Sequence, residues 1–277
     1  MPASPGKDAN ISYALWDVNK QQIDVAAIQK ADHIIHLAGA GVVDKKWTEA
    51  YKAEIRNSRT KSSALLIDAL RNNDNSVKTI VSASAIGWYG EDSSPRGAGF
   101  IESDMNADNF LGETCKVWEE SIEPVKQLGK RLVIMRFGIV LSNTDGAFPE
   151  FKKPLHFGIS GILGSGKQVI SWVHIDDLCR MLIEAIENEN MNGIYNAVAP
   201  KPVTNKVLTL QLAQAIRGKF FIPLHVPEFV LKIMLGARSV EVLKSTTVSS
   251  EKIKGVGFTF LYPSIEAALQ QLCSGKH

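Results

Sequence analysis

The sequence predicts an α/β fold in which a parallel sheet is covered by helices on both faces. Three apolar segments carry this prediction: HIIHL (33–37), TIVSASA (79–85) and RLVIMRFGIVL (131–141). Two segments with the apolar spacing of helices, 47–73 and 110–129, separate them, and Pro124 is expected to break or kink the second helix. Continuous apolar strands that alternate with helices are typical of parallel sheets buried on both faces.

The composition is that of an ordinary globular protein. The chain has 277 residues, of which 45% are hydrophobic, and its formal net charge is +2. This balance gives no sign of a broad nucleic-acid or membrane surface. No apolar run approaches the roughly 20 residues that a membrane helix needs. The three cysteines lack metal-site spacing. We therefore expect a cytoplasmic protein with reduced thiols and no metal.

The pattern changes after about residue 145, and we place a domain boundary there, dividing 1–145 from 146–277. The Gly- and Pro-rich segment 142–161 is predicted to be a loop. A helix is expected to begin at Asp176 or Asp177 as its N-cap. Near the end of the chain, GFTFLYP (257–263) is predicted to be a strand that leads into a last helix.

The stretch GILGSGKQ (161–168) falls one residue short of the phosphate-binding P-loop pattern G-x-x-x-x-G-K-[ST]. Gln168 stands where a Ser or Thr hydroxyl would bind Mg²⁺. The residues that follow, VISWVHI, alternate like a strand, whereas a P-loop opens a helix. We therefore interpret the stretch as a glycine-rich turn with positive φ angles.

Four segments occur in an order that resembles a known family: HIIHLAGAGV, SASAIGWYG, RFGIVLS and GSGKQVISWVHIDDL. Together with KKWTEAYKAEIRNSR and the last 50 or so residues, they look like the extended short-chain dehydrogenase/reductase family. The nearer resemblance is to its atypical branch of NAD(P)-dependent nucleotide-sugar epimerase-like proteins, and it runs from about Ile11 to Leu269. It implies a Rossmann-like doubly wound parallel sheet with a smaller C-terminal α/β lobe.

The resemblance also implies an activity and a cofactor site. The activity would be hydride transfer between NAD or NADP and a sugar-like or carbonyl substrate. The small residues after the first strand would let a flat cofactor approach the backbone closely, although a tight turn without a ligand is the alternative. The cofactor-contacting residues that the resemblance implies are Leu37, Ala38, Gly39, Ala40, Ser82, Ala83, Lys116, Arg136, Phe137 and Gly138. For Arg136 the alternative is a structural ion pair.

The catalytic residues carried over from the family are Ser84, which would hydrogen-bond the reacting oxygen, and Lys116, which would hold the nicotinamide ribose. The alternatives are a backbone-bonding serine and a surface lysine. Gly112 stands where the family has its tyrosine base, and a glycine exchanges no proton. Glu113 or Tyr89 could replace that base, against the alternatives of a solvated helix face and a packed aromatic residue.

Another departure concerns the first βαβ unit of the family, whose glycine-rich G-x-x-G-x-x-G turn cradles the cofactor pyrophosphate. The printed sequence contains no such turn. We expect about 30 residues of this unit to be encoded ahead of Met1. Otherwise the chain is expected to be unstable or to form a homodimer through the gap, and to bind dinucleotides weakly.

For His174 two interpretations remain open. Its side chain faces the substrate cleft, or it is a hydrogen-bonded structural residue.

Two functions remain open from the sequence. The first is an NAD(P)-dependent epimerase or oxidoreductase with a small-molecule substrate. The second is a non-catalytic dinucleotide-binding or regulatory protein that has lost the base and the glycine-rich turn.

Overall fold

The computed structural model describes residues 10–92, 97 and 99–274. The strands are β1 (Trp16–Asp17), β2 (Gln22–Ile23), β3 (His33–His36), β4 (Thr79–Ala85), β5 (Arg131–Phe137), β6 (Ile139–Leu141), β7 (Ile159–Leu163), β8 (Val169–Ile170), β9 (Trp172–His174), β10 (Gly193–Ala197), β11 (Val203–Thr204) and β12 (Ile222–Val226). The helices are α1 (Val25–Lys30), α2 (Glu49–Asn72), α3 (Phe110–Ile122), α4 (Ala147–Lys152), α5 (Ile175–Glu187), α6 (Asn205–Arg217), α7 (Glu228–Leu235), α8 (Ser239–Leu243), α9 (Glu251–Gly255) and α10 (Ile265–Cys273).

Four parallel strands form the central sheet in the order β10-β5-β4-β3. In its register Val81 of β4 lies opposite Val133 of β5, and both are fully buried. Apolar clusters cover both faces of the sheet, one built with α5 and α9 and the other with α2 and α3. The prediction of a parallel sheet between helices is confirmed.

Local sequence signals explain how the long helices begin and end. The Thr48 hydroxyl accepts a hydrogen bond from the backbone of Tyr51 and so caps α2. Helix α3 ends at Ile122, and a 3₁₀ helix containing Pro124 follows over 123–128. The predicted break at Pro124 is confirmed, because proline cannot donate a backbone hydrogen bond to the preceding turn.

Two predictions about local structure are wrong. The segment 142–161 is not a loop throughout, since it forms α4, a 3₁₀ helix over 153–157 and the start of β7. Phe148 and Leu155 bury their side chains in the core under α6 and α10, which favours ordered helices there. The segment 257–263 forms no strand, because the Asp177 carboxylate accepts the backbone N–H groups of Leu261 and Tyr262. A side chain thus takes the place of a neighbouring strand.

Two boundaries also differ from the expectation. The apolar run 131–141 divides at Gly138, and its second part, β6, pairs with β9 outside the central sheet. A Cβ atom at Gly138 would lie 2.8 Å from the carbonyl oxygen of Ser171, so this crossing requires glycine. Helix α5 is capped by the His174 ring, which accepts from the backbone of Asp176, and neither predicted aspartate is the N-cap.

The outer edge of β3 pairs with no strand among the described residues. Ile35 is 40% exposed there, and an apolar groove of about 260 Å³ runs between this edge and the segment around Trp16. The predicted homodimer stays a prediction.

The domain boundary expected at residue 145 does not divide the central sheet, because strand β10 lies beyond that boundary and still joins the sheet. Within the described ranges, no helix has the length and apolar character to span a bilayer.

His36, at the end of β3, should make stability depend on pH. Burial lowers the pKa of His36 from 6.5 to about 4. Between these values the unfolded chain binds a proton that the folded chain does not. The contribution of His36 is therefore complete above pH 6.5 and is lost as the pH falls towards 4, by up to about 3 kcal/mol.

Urea unfolding at about pH 7.5 and about pH 5 measures this effect. His36→Asn should reduce the difference in the free energy of unfolding between the two pH values. His156→Asn, which changes an exposed histidine, should leave that difference as in the parent. An equal pH dependence in the His36 variant and the parent would contradict the assignment.

Candidate functional site

A buried polar network lies at the carboxyl ends of β4 and β5, where ligands bind in doubly wound folds. Ser84 Oγ lies 2.6 Å from Glu119 Oε1, and the hydroxyl donates to this carboxylate. Arg136 donates two hydrogen bonds to the same carboxylate, from Nε to Oε1 at 2.8 Å and from Nη2 to Oε2 at 2.9 Å. All three residues are at most 5% exposed. The network therefore joins β4, β5 and α3.

Tyr89 extends this network towards β10. Its phenol donates to Asn196 Oδ1 at 2.7 Å and accepts from Arg136 Nη1 at 2.9 Å. The Arg136 guanidinium also lies over the Trp88 ring, 3.7 Å from the ring centroid. The phenol thus links the Arg136 guanidinium to the Asn196 amide.

The electrostatics of the network favour its present protonation state. Burial would lower the pKa of Arg136, but its hydrogen bonds to and attraction by Glu119 outweigh this, so the pKa lies above its ordinary value. Burial raises the pKa of Tyr89 to about 12, with Arg136 opposing the rise. The phenol stays protonated near neutral pH and is a poor match for a general base, whose pKa should lie near the working pH.

Packing explains why position 112, where the resemblance implies a tyrosine base, is a glycine. The first turn of α3 lies against the backbone of Ala107, and a Cβ atom at Gly112 would stand 2.1 Å from the Ala107 carbonyl oxygen. Asn109 caps this helix by accepting from the Gly112 N–H at 2.9 Å. The fold therefore leaves no room for a side chain where the base would stand.

The other candidates on α3 differ in how they are held. Lys116 is half-buried, and its ammonium makes no hydrogen bond or ion pair with any residue that the structure describes. Glu113 accepts from Asn106 Nδ2 at 2.8 Å and is also half-buried. Lys116 follows Gly112 by one helical turn, and Glu119 follows Lys116 by nearly another. Within the described ranges, Lys116 is thus a cation without a partner on the helix that also carries Glu119.

The predicted cofactor turn, Leu37–Ala40, leaves β3 at the same edge of the sheet. Leu37 is 53% exposed and Gly39 is exposed, whereas Ser82 and Ala83 lie inside β4 with buried side chains. The Ala40 N–H donates to Ser58 Oγ at 2.9 Å. The exposed turn fits a flat cofactor that approaches the backbone, while Ser82 and Ala83 could meet it only through their main chain.

Three further candidate residues pack or form hydrogen bonds within the fold. Phe137 packs against the core under α5 and α9, and Gly138 donates its N–H to the Ala197 carbonyl. His174 is fully buried, and its Nε2 lies 3.0 Å from Gln271 Oε1. This arrangement fits the structural interpretation of His174.

The glycine-rich stretch 161–168 is not a phosphate loop. Gln168 Nε2 donates to the carbonyls of Leu163 and Val242, and Gly164 and Gly166 have positive φ angles in the turn between β7 and β8. The interpretation as a turn is confirmed.

Two residues of this edge were missed by the sequence analysis. Glu119 partners Ser84 and Arg136, and Arg59 of α2 lies under the cofactor turn with its Nη1 donating to the Ala40 carbonyl at 3.0 Å. The only available signal for Glu119 was its spacing from Lys116 on a predicted helix. Helical spacing gave no signal for Arg59, because an arginine at that position of a helix could equally face solvent.

Gly112→Ala should destabilise the protein by about 1–3 kcal/mol, because the new methyl group would overlap the Ala107 carbonyl. Urea unfolding gives the free energy difference. Gly87→Ala is the matched control, since its Cβ would meet only side-chain atoms of Leu111 and Cys115 at 3.4–3.6 Å. Equal stability of the two variants would contradict the packing explanation for glycine at 112.

Comparison with known proteins places this site in a family context. Residues 4–197 match the NAD dependent epimerase/dehydratase family, and residues 226–272 match a domain of unknown function, DUF1731. An epimerase family protein of Staphylococcus aureus is 34% identical over 268 residues, which is 96% of this chain and 87% of that protein.

Solved structures show the same fold. The human epimerase family protein SDR39U1, crystallised with NADPH, superposes with a TM-score of 0.81 at 26% identity, covering 89% of this chain and 83% of that one. The nucleoside-diphosphate sugar epimerase of Corynebacterium glutamicum gives a TM-score of 0.72 at 28% identity, covering 94% of this chain and 50% of that one. The chain therefore belongs to the NAD dependent epimerase/dehydratase family, with a Rossmann-like fold.

Proposed function

We propose that this protein is an NAD(P)-dependent epimerase or oxidoreductase that acts on a sugar-like or carbonyl substrate. The observation that carries the proposal is the exposed small-residue turn 37–40 at the carboxyl end of β3, in a chain of this family. Cofactors of doubly wound folds bind at this edge of the sheet. The human relative crystallised with NADPH supports the choice of cofactor class.

The cofactor would accept and return a hydride at the substrate carbon. Lys116 of α3, whose ammonium has no partner among the described residues, is the residue we assign to the ribose of that cofactor. Ser84 donates its only hydroxyl hydrogen to Glu119, so its lone pairs remain for a substrate hydroxyl. Arg136 holds Glu119 in place for this contact.

A second function, dinucleotide binding without catalysis, is supported by the surroundings of Gly112 and Tyr89. Gly112 is closed by the Ala107 carbonyl, and Tyr89 is enclosed with both hydrogen-bond roles filled. A protein with this fold and no proton acceptor in the expected place would bind a dinucleotide without turning over a substrate. Binding and turnover therefore have to be measured separately.

Lys116→Met should weaken NADPH binding about tenfold or more, because a charge-assisted hydrogen bond is lost. NADPH fluorescence titration of the purified protein measures the affinity. Lys126→Met is the matched control, since Lys126 is an exposed lysine paired with Glu123 in the next helical segment, and it should leave the affinity unchanged. Equal affinities of the two variants would contradict the role of Lys116.

A panel of sugar nucleotides and small carbonyl compounds, followed by NADPH absorbance and by product analysis, tests the reaction. Turnover of any member supports the enzyme. Binding of NADH or NADPH without turnover across the panel favours the binding protein, and absence of binding of both NADH and NADPH contradicts both functions.

A further inference from the structure

The small parallel sheet formed by β7 and β12 has one covered face and one open face. Ser160 of β7 is buried and donates its hydroxyl to a backbone carbonyl of α6, so the face that carries Ser160 lies against that helix. In the register of the pair, Ile222 and Leu224 of β12 lie opposite positions 159 and 161 of β7. Side chains alternate along a strand, so Ile222 and Leu224 belong to the other face, and both are exposed there.

Large apolar side chains continue this open face at both ends of β12. Phe220, two residues ahead of Ile222, extends the same row, whereas Phe221 packs inward against the core under α6 and α10. Phe157 directly precedes the residue whose carbonyl accepts the Ile222 N–H, so it lies beside the start of the strand. Helix α7, which begins two residues after β12, adds a second apolar row. We call the six exposed residues the lobe patch: Phe157, Phe220, Ile222, Leu224, Phe229 and Ile233.

The lobe patch is as large as one side of a stable protein interface. Its six residues are 52–88% exposed. A large apolar side chain covers on the order of 150–200 Å², so the patch opens roughly 800 Å² of apolar surface to solvent. The largest apolar patch on a typical monomer measures about 300–600 Å², whereas a stable complex buries about 800 Å² on each partner. The area therefore fits a partner of protein size.

The outer edge of β12 is unsuited to accept another strand. Ile222 directs its N–H towards β7, so the backbone groups of the next residue, Pro223, point to the edge that pairs with no strand among the described residues. Proline has no N–H, and a proline on an edge strand opposes the addition of a further strand. A partner would therefore lie on the open face of the sheet and not along its edge.

Charges of opposite sign stand at the two ends of β12. Lys219 lies three residues before the strand and Glu228 two residues after it, and both are exposed. Neither side chain makes an ion pair or a hydrogen bond with a residue that the structure describes. A second copy whose β12 runs antiparallel would bring Lys219 of each chain next to Glu228 of the other. The strand is thus complementary in charge to its own inverted copy.

We propose that two copies of this chain associate face to face through the lobe patch, with their β12 strands antiparallel. A twofold axis that lies between the two faces and crosses the strands produces this arrangement, because the same residues then meet from both sides. Aligned packing of two sheet faces would bury the apolar rows against each other. An anionic bilayer is a poorer partner, because the carboxylate of Glu228 beside the patch would face its negative surface.

Sedimentation equilibrium of the whole chain over a dilution series tests the proposal. The parent should dimerise, and Ile222→Asp should weaken the dimer at least tenfold or so, because it places a charge from each chain in the apolar contact. Met105→Asp is the matched control, since Met105 is an exposed apolar residue in the loop before α3, outside the lobe patch. This variant should dimerise as the parent does.

Charge reversal tests the antiparallel arrangement. Lys219→Glu and Glu228→Lys should each weaken the dimer about 3- to 10-fold, because attraction between the chains becomes repulsion at both ends of the contact. Combining the two substitutions in one chain should restore the affinity towards that of the parent. A combined variant that dimerises no better than the single variants overturns the proposed arrangement.

Three further outcomes overturn the proposal. The first is a parent that stays monomeric at every concentration. The second is a dimer that dissociates with Leu15→Asp, in the groove beside β3, and not with Ile222→Asp, since the chains would then meet at the edge of the central sheet. The third is a monomeric parent that sediments with phosphatidylserine vesicles and loses this binding with Ile222→Asp, which would assign the patch to a bilayer.

Urea unfolding shows whether each variant is folded. Ile222 is largely exposed, so Ile222→Asp should keep the urea midpoint that the monomer of the parent has. Should Ile222→Asp fail to fold, Phe220→Asp decides, because Phe220 lies ahead of the strand and is the most exposed residue of the lobe patch. A folded Phe220→Asp variant that dimerises like the parent would overturn the proposal.

Discussion

The buried ion pair between Glu119 and Arg136 is the interaction on which the carboxyl edge of the sheet depends. Arg136 lies on the central strand β5 and Glu119 on α3, so their bidentate contact fixes a helix to the sheet. The same groups orient Ser84 from β4 and, through Tyr89, reach Asn196 on β10. Hydrogen bonds of this kind are strong where water is excluded, and losing one partner leaves a buried charge. Four elements are thereby held as one rigid unit.

The two enclosed arginines divide this edge into a structural part and an open part. Arg136 is fully buried and is neutralised within the fold by Glu119. Arg59 keeps donors that the fold does not use, and Lys116 is likewise without a partner among the described residues. Arg59 lies directly against the exposed turn, whereas the ends of β4 and β5 carry the neutralised ion pair and its hydrogen bonds.

Much of the fold could be predicted from the sequence because the relevant signals are local. Apolar runs, helical spacing and Pro124 identified the parallel strands and the break after α3. The strand expected over 257–263 failed because the buried Asp177 replaces a neighbouring strand from 80 or so residues away in sequence. The resemblance pointed to Ser84, Tyr89 and Arg136 as candidates, whereas their partners Glu119 and Asn196 were not predicted. Ser84 and Glu119 are 35 residues apart, and Tyr89 and Asn196 are 107 apart, so only the folded chain reveals that they meet.

The direction of one hydrogen bond constrains what Ser84 can do. A hydroxyl has one hydrogen, and a carboxylate can only accept; Ser84 therefore donates to Glu119 and presents lone pairs on its other side. A substrate hydroxyl can donate to these lone pairs, whereas a carbonyl oxygen cannot. A proton leaving such a hydroxyl would pass through Ser84 to Glu119, but both Glu119 oxygens already accept from Arg136. A proton arriving there would have to displace an N–H donor. The arrangement is thus better suited to hold a hydroxyl in place than to remove its proton, and this adds to the reasons that Gly112 and Tyr89 give for binding without turnover.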